Sequence, residues 1–185
     1  MDKKTLIVNL FGAPGSGKST GSAYIFSKLK MNNVDCELVT EFAKDKVWEE
    51  STEVFKCQPY IFAKQLFRQS RVKGKVDVIV TDSPLLLSIF YNSNKNPDIV
   101  KHFNDLVLAY HKQEYNLNIY INRAKPYNPN GRLHSEDESK QIADRIKQEI
   151  LIDNDIMFTE INGIEEEYDI VVEAILSVLY KWREI

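Results

Sequence analysis

The sequence predicts an α/β protein in which helices cover both faces of a parallel sheet. Three observations carry this expectation. Short β-rich apolar runs alternate along the chain with segments of helical periodicity. Residues 76–81, VDVIVT, are almost continuously apolar, as a strand covered on both faces should be. The connections between strands contain helices, and such crossovers are right-handed and build parallel sheets.

Residues 5–11 form the first strand, which ends at Gly12. A helix is expected over 18–29, a short strand over 37–40 and a second long helix over 59–72. Lys73, Gly74 and Lys75 then read as a turn before the strand 76–81. Residues 97–112 place Ile99, Phe103, Leu106, Val107 and Tyr110 on one helical face. A fourth strand is expected over 117–121. Ser135 followed by Glu138 has capping-box spacing and opens a helix running to about Ile152. Residues 156–161 read as the fifth strand. Ile164, Tyr168, Val171, Ile175, Leu179 and Trp182 form the apolar stripe of the last helix. No repeat or interdomain linker interrupts residues 1–185, so a single domain is expected.

The net charge of −3 gives no overall basic field to draw the chain onto nucleic acid or an anionic membrane. The longest apolar runs fall far short of the ~20 residues of a membrane span. The basic start before residues 5–11 lacks a cleavage site and reads as part of a strand. Cys36 and Cys57 form neither a CxxC nor a disulfide framework, so a reduced, cytoplasmic protein is the simpler expectation.

Ligands of open α/β sheets bind beyond the carboxyl ends of the strands. There the sequence places Gly12 to Ser19, Glu41, Asp82 and Arg123. Gly12, Ala13, Pro14, Gly15, Ser16, Gly17, Lys18 and Ser19 match GxxxxGK[ST] between a strand and a helix. Its glycines let several backbone N–H groups face one anion, and the next helix adds its positive end. Lys18 suits the β- and γ-phosphates, Ser19 suits Mg²⁺, and Thr20 is a further phosphate contact. Asp82 ends the apolar strand, where a carboxylate suits Mg²⁺ or acts as a base; Asp82-Ser83-Pro84 also reads as a helix cap.

The segments GAPGSGKST, VTEFAKD, VIVTDSP and NRAKPYNPNGR together resemble the P-loop nucleoside and nucleotide kinases. Nearest are nicotinamide-riboside kinase domains and small AAA-domain ATPase-type proteins, many of them from phages. The resemblance spans nearly the whole chain in motif order. It implies a three-layer P-loop NTPase fold, a five-stranded parallel sheet in the order 2-3-1-4-5, ATP with Mg²⁺ as donor, and a short lid at about 123–135. Deoxynucleoside kinases carry a glutamate base after the second strand, which implies that Glu41 accepts a proton or orients the acceptor hydroxyl. The arginine often found beside their strand-three acid is missing from Thr81-Asp82-Ser83-Pro84. The lid of related kinases implies charge-neutralising roles for Arg123 and Arg132, with Arg145 behind them.

Gln58, Gln65, Arg68 and Gln69 fall near one face of the second long helix, as an acceptor-lining set or a solvated face. Trp48, Phe55, Tyr60 and Phe62 suit either stacking on a flat acceptor or core packing. His134 has no second ligand at metal spacing and reads as a loop residue. The expected activity is transfer of the γ-phosphoryl of ATP to a small nucleoside- or nucleotide-like acceptor. Two alternatives stand beside it. One is a kinase acting on a nucleic-acid end or modified base, which the net acidity disfavours. The other is a nucleotide-dependent switch or ATPase; 122–125 (NRAK) lacks the aspartate of a base-reading NKxD, and 185 residues leave no room for the extra helical domain of oligomeric ATPases. A homodimer is an open option, without a heptad seam to drive it.

Overall fold

The computed structural model describes residues 3–127 and 135–183. Strand β1 (Leu6–Phe11) is buried along its whole length, because its alternate side chains enter different layers. Leu6, Val8 and Leu10 pack under α1 (Lys18–Met31) and α7 (Glu165–Arg183), beside Ile25, Leu29 and Ile175. Phe11 faces the other side. There it meets Phe62 of α3 (Gln58–Ser70), Leu87 of α4 (Leu87–Phe90), Phe103 and Val107 of α5 (Pro97–Lys112) and Ile142 of α6 (Glu136–Arg145). Burying each such side chain contributes about 1.5–3 kcal/mol.

The other strands are β2 (Cys36–Val39), β3 (Val78–Thr81), β4 (Tyr115–Asn122) and β5 (Thr159–Asn162). The sheet has five strands in the order β2-β3-β1-β4-β5. Every neighbouring pair is parallel. This is the α/β architecture and strand order expected above. All the strand ends named in the sequence therefore point to one edge of the molecule. No described helix is long and apolar enough to cross a membrane.

Several boundaries move. The fifth strand begins at Thr159, not residue 156, because Ile156 drops into the core while Met157 lies exposed. The third begins at Val78; Asp77 N–H instead bonds the Asp35 carbonyl, and Asp77 ion-pairs with Lys3. Three short elements had no periodic signal: α2 (Phe42–Trp48), a 3₁₀ turn (Thr52–Lys56) and α4. The capping box forms as expected, with Glu138 N–H donating to Ser135 Oγ and Ser135 N–H donating to Glu138 Oε2. The helix then passes into a π-helical segment, Ile146–Ile152. Cys36 is buried, Cys57 is exposed, and both are free thiols.

An asparagine cluster ties β1 to β4 inside the sheet. Asn9 Nδ2 donates to Asn116 Oδ1 at 2.9 Å and Asn118 Oδ1 at 3.0 Å, and Asn118 Nδ2 donates to the Met157 carbonyl. Asn9 is buried, so truncation strands two acceptors. Asn9→Ala should therefore cost about 1–3 kcal/mol in urea unfolding. A cost near zero would mean that water replaces the amide.

Candidate functional site: a phosphate loop between two carboxylates

The chain leaves β1 through residues that only glycine permits. Gly12 has φ +142°, and a Cβ there would lie 2.5 Å from Ser16 Oγ and 2.7 Å from the Ile121 carbonyl oxygen. The loop then enters α1, whose first turn holds no acidic residue to compete for an anion. Lys18 Nζ donates to the carbonyls of Gly12 at 2.8 Å and Ala13 at 2.9 Å. The ammonium is thus folded over the loop that a phosphate would enter. Ser16 is buried with no partner for its Oγ among the described residues, whereas Ser19 and Thr20 are exposed.

Ser19 and Asp82 meet, although 63 residues separate them. Ser19 Oγ donates to Asp82 Oδ2 at 2.6 Å. Asp82 is only 6% exposed, and its Oδ1 has no hydrogen-bond partner among the described residues. Leaving a buried carboxylate oxygen bare is costly unless a ligand completes it. A hydroxyl beside an under-satisfied carboxylate fits the protein side of a Mg²⁺ site, with phosphate oxygens and water as the remaining ligands. Among the described residues no cluster of three His, Cys, Asp or Glu could hold a metal by itself. The cap alternative for Asp82 fails: the next helix is α4, whose cap position is Leu86.

Glu41 follows β2, which pairs with β3 in the register Val39↔Thr81. Adjacent strands lie about 4.8 Å apart, so Glu41 and Asp82 leave neighbouring strand ends. Glu41 occupies the cap position of α2, yet its side chain makes no capping bond. Burial pushes its carboxyl above the usual range; Lys18 opposes the rise, Asp82 adds to it, Lys44 opposes and Asp45 adds. Ionised Glu41 is therefore penalised in the folded protein. The stability it lends is present below its ordinary pKa and lost as pH rises through the raised value. Glu41→Gln should accordingly raise the melting temperature at pH 7 and leave it unchanged at pH 3.5. Equal shifts at both pH values would contradict this assignment.

Gln65 and Arg68 act on Glu41's neighbours. Gln65 is 4% exposed; its Oε1 accepts from Phe42 N–H at 2.9 Å and its Nε2 donates to the Thr40 carbonyl at 3.2 Å. Arg68 donates to the same carbonyl at 3.3 Å and ion-pairs with Asp45. Both residues grip the chain on either side of Glu41. Gln58 and Gln69 are buried too, so these glutamines are not a solvated face. Phe62 lies in the core, Tyr60 packs edge-on against Phe42, Phe55 is half-buried and Trp48 is 74% exposed.

On the β4 side, Arg123 Nη2 donates to Glu136 Oε1 at 2.6 Å. Its Nη1 is buried and has no hydrogen-bond partner among the described residues. Arg123 lines an open cleft of about 390 Å³ with Ala13, Ser16, Asn122, Lys140 and Asp144. Arg145 lies against the Phe90 ring at 4.8 Å and binds Glu149 through two nitrogens. Arg132 and His134 lie outside the described residues, as does most of the lid segment.

Four supporting residues escaped the sequence reading. Ser139 Oγ donates to the Pro14 carbonyl at 2.7 Å, pinning the loop to α6. Tyr168, read only as core, donates from its hydroxyl to the Gly17 carbonyl at 3.2 Å. Gly163 directly follows β5 and comes so near the loop that a Cβ would lie 2.7 Å from the Ser16 carbonyl oxygen. The strand-end rule that found Asp82 would also have found it. Tyr91 is 41% exposed as a residue, yet burial around its phenol pushes it up to about 12, with the Glu41 charge adding to the rise.

A family model described as an AAA domain matches residues 7–167. The chain belongs to this AAA-domain family. The match contains the phosphate loop, Glu41 and Asp82 together. No curated protein matches the sequence of this AAA domain. Among solved structures, it resembles thymidylate kinase from Candida albicans. The TM-score is 0.55 at 11% identity, over 98% of this chain and 93% of that one. At that identity the likeness is one of fold.

Proposed function

We propose that this chain is an ATP-dependent phosphotransferase that moves the γ-phosphoryl of ATP to a small nucleoside- or nucleotide-like acceptor. One observation supports this reading above the others. Beyond Asp82, which suits the metal, a second and desolvated carboxylate stands on the next strand end. A carboxylate at that place can take the proton of an acceptor hydroxyl, which phosphoryl transfer to an alcohol calls for.

The chain's own residues divide the work. The backbone of residues 12–17 and Lys18 hold the triphosphate, and Lys18 counters charge on the phosphoryl as it moves. Ser19 and Asp82 would hold Mg²⁺, which supplies charge neutralisation at the β- and γ-oxygens. Glu41 takes the acceptor proton. Arg123, with one nitrogen unmatched beside the loop, adds positive charge on the donor side, and Arg132 is proposed to do so from the lid. Catalysis then rests on positioning and charge rather than on covalent chemistry by the protein.

The test is transfer of label from γ-labelled ATP across a panel of nucleosides, nucleotides and short DNA, with Lys18→Ala as the blank. A labelled product from one acceptor class, absent in the blank, is the expected outcome. Free phosphate alone, unchanged by every acceptor, would replace this reading with the switch or ATPase.

A further inference from the structure

Resting on the phosphotransferase reading, we infer that the acceptor presents a neutral hydroxyl to this site and that a phosphate monoester is turned away. The inference comes from the charges fixed on the acceptor side. The reacting oxygen must sit near the γ-phosphoryl, beside β1 and β3, where Glu41 and Asp82 leave neighbouring strands. A monoester brings about two negative charges at neutral pH. It would meet the Glu41 carboxylate at that point, beside an Asp82 already committed to the metal. A hydroxyl brings none and offers Glu41 the proton that a carboxylate can accept.

Glu41 has little freedom to withdraw. Gln65 holds the residues on both sides of it, and Arg68 adds a second bond to Thr40. The cations that act on Glu41 are Lys18 and Lys44, against Asp82 and Asp45. Lys18 belongs to the triphosphate and Asp82 to its metal in this reading, which leaves Lys44 against Glu41 and Asp45, with no surplus of positive charge for a monoester. The described arginines that approach from this side are already matched: Arg68 with Asp45 and Arg145 with Glu149. Arg123 follows β4, on the far side of β1 from β3. Among the described arginines that touch residues 40–45 or α4, then, none is unmatched.

The step balances simply. The acceptor O–H proton passes to the Glu41 carboxylate. The oxygen bonds to the γ-phosphorus as the bond to the β–γ bridging oxygen breaks, and ADP leaves with that electron pair.

The experiment uses matched acceptors: nucleosides against their own 5′-monophosphates, and a 5′-hydroxyl oligonucleotide against its 5′-phosphate form. Transfer from γ-labelled ATP is measured for the wild-type chain and Glu41→Gln. Within any pair that reacts, the hydroxyl member should win by at least about a hundredfold in kcat/KM, since placing like charges together costs several kcal/mol. Glu41→Gln should slow the hydroxyl member and tighten competitive inhibition by the monophosphate. Conversion of a monophosphate to a diphosphate at an equal or greater rate would overturn the inference and leave the kinase reading intact. So would a Glu41→Gln variant with unchanged inhibition by the monophosphate. No transfer to either member of any pair would remove the kinase reading, and this inference with it.

Discussion

Asp82→Asn should lower phosphoryl transfer by about two to three orders of magnitude while leaving the fold as stable as before, or slightly more so. The two halves of this expectation come from one environment. Asp82 is buried and accepts a hydrogen bond from Ser19 Oγ, and its Oδ1 has no partner among the described residues. In the protein alone, Oδ1 is buried with no hydrogen-bond partner among the described residues, which costs free energy. Asparagine keeps an oxygen for Ser19 and removes the charge. In the proposed reaction the same charge serves Mg²⁺ and ATP. Activity and thermal melting measured on one preparation separate the cases. Parallel losses in both would make Asp82 a structural residue.

Lys18→Ala should produce the other large effect, a loss of transfer of at least about a hundredfold. Lys18 bonds across the loop, and its contacts to Gly12 and Ala13 show how little it must move to reach a phosphate. Arginine should restore little, since a planar fork cannot take the place of a compact ammonium in so tight a loop. ATP affinity and turnover should fall together. Retained turnover in Lys18→Ala would mean that the loop binds phosphate through its backbone alone.

The central strands were legible because β1 and β3 are buried along their whole length and nearly all apolar, whereas the edge strands β2 and β5 carry exposed polar residues such as Glu37 and Glu160. Its strand order was not written in periodicity; it came with the motif resemblance. The short helix α2 was invisible because tertiary bonds hold it: Gln65 and Arg68 reach from α3 to fix residues 40–45. The loop and Asp82 could be read because each follows a strand in local sequence. Ser139 and Tyr168 could not, because their contacts span 125 and 151 residues. Tyr91 likewise gains its place near Glu41 only through the packing of α4. Gln65 shows the limit most clearly. Its sequence position suggested an acceptor contact, yet both ends of its amide hold the backbone that carries Glu41.

The central claim is that the two carboxylates have different jobs, Asp82 at the metal and Glu41 at the acceptor proton. Calorimetric titration of ATP into the wild-type chain, Asp82→Asn and Glu41→Gln, each with and without Mg²⁺, tests it most directly. Mg²⁺ should strengthen ATP binding in the wild-type chain and in Glu41→Gln, and Asp82→Asn should lose this gain. Loss of the gain in Glu41→Gln, with Asp82→Asn unaffected, would reverse the roles and contradict the account.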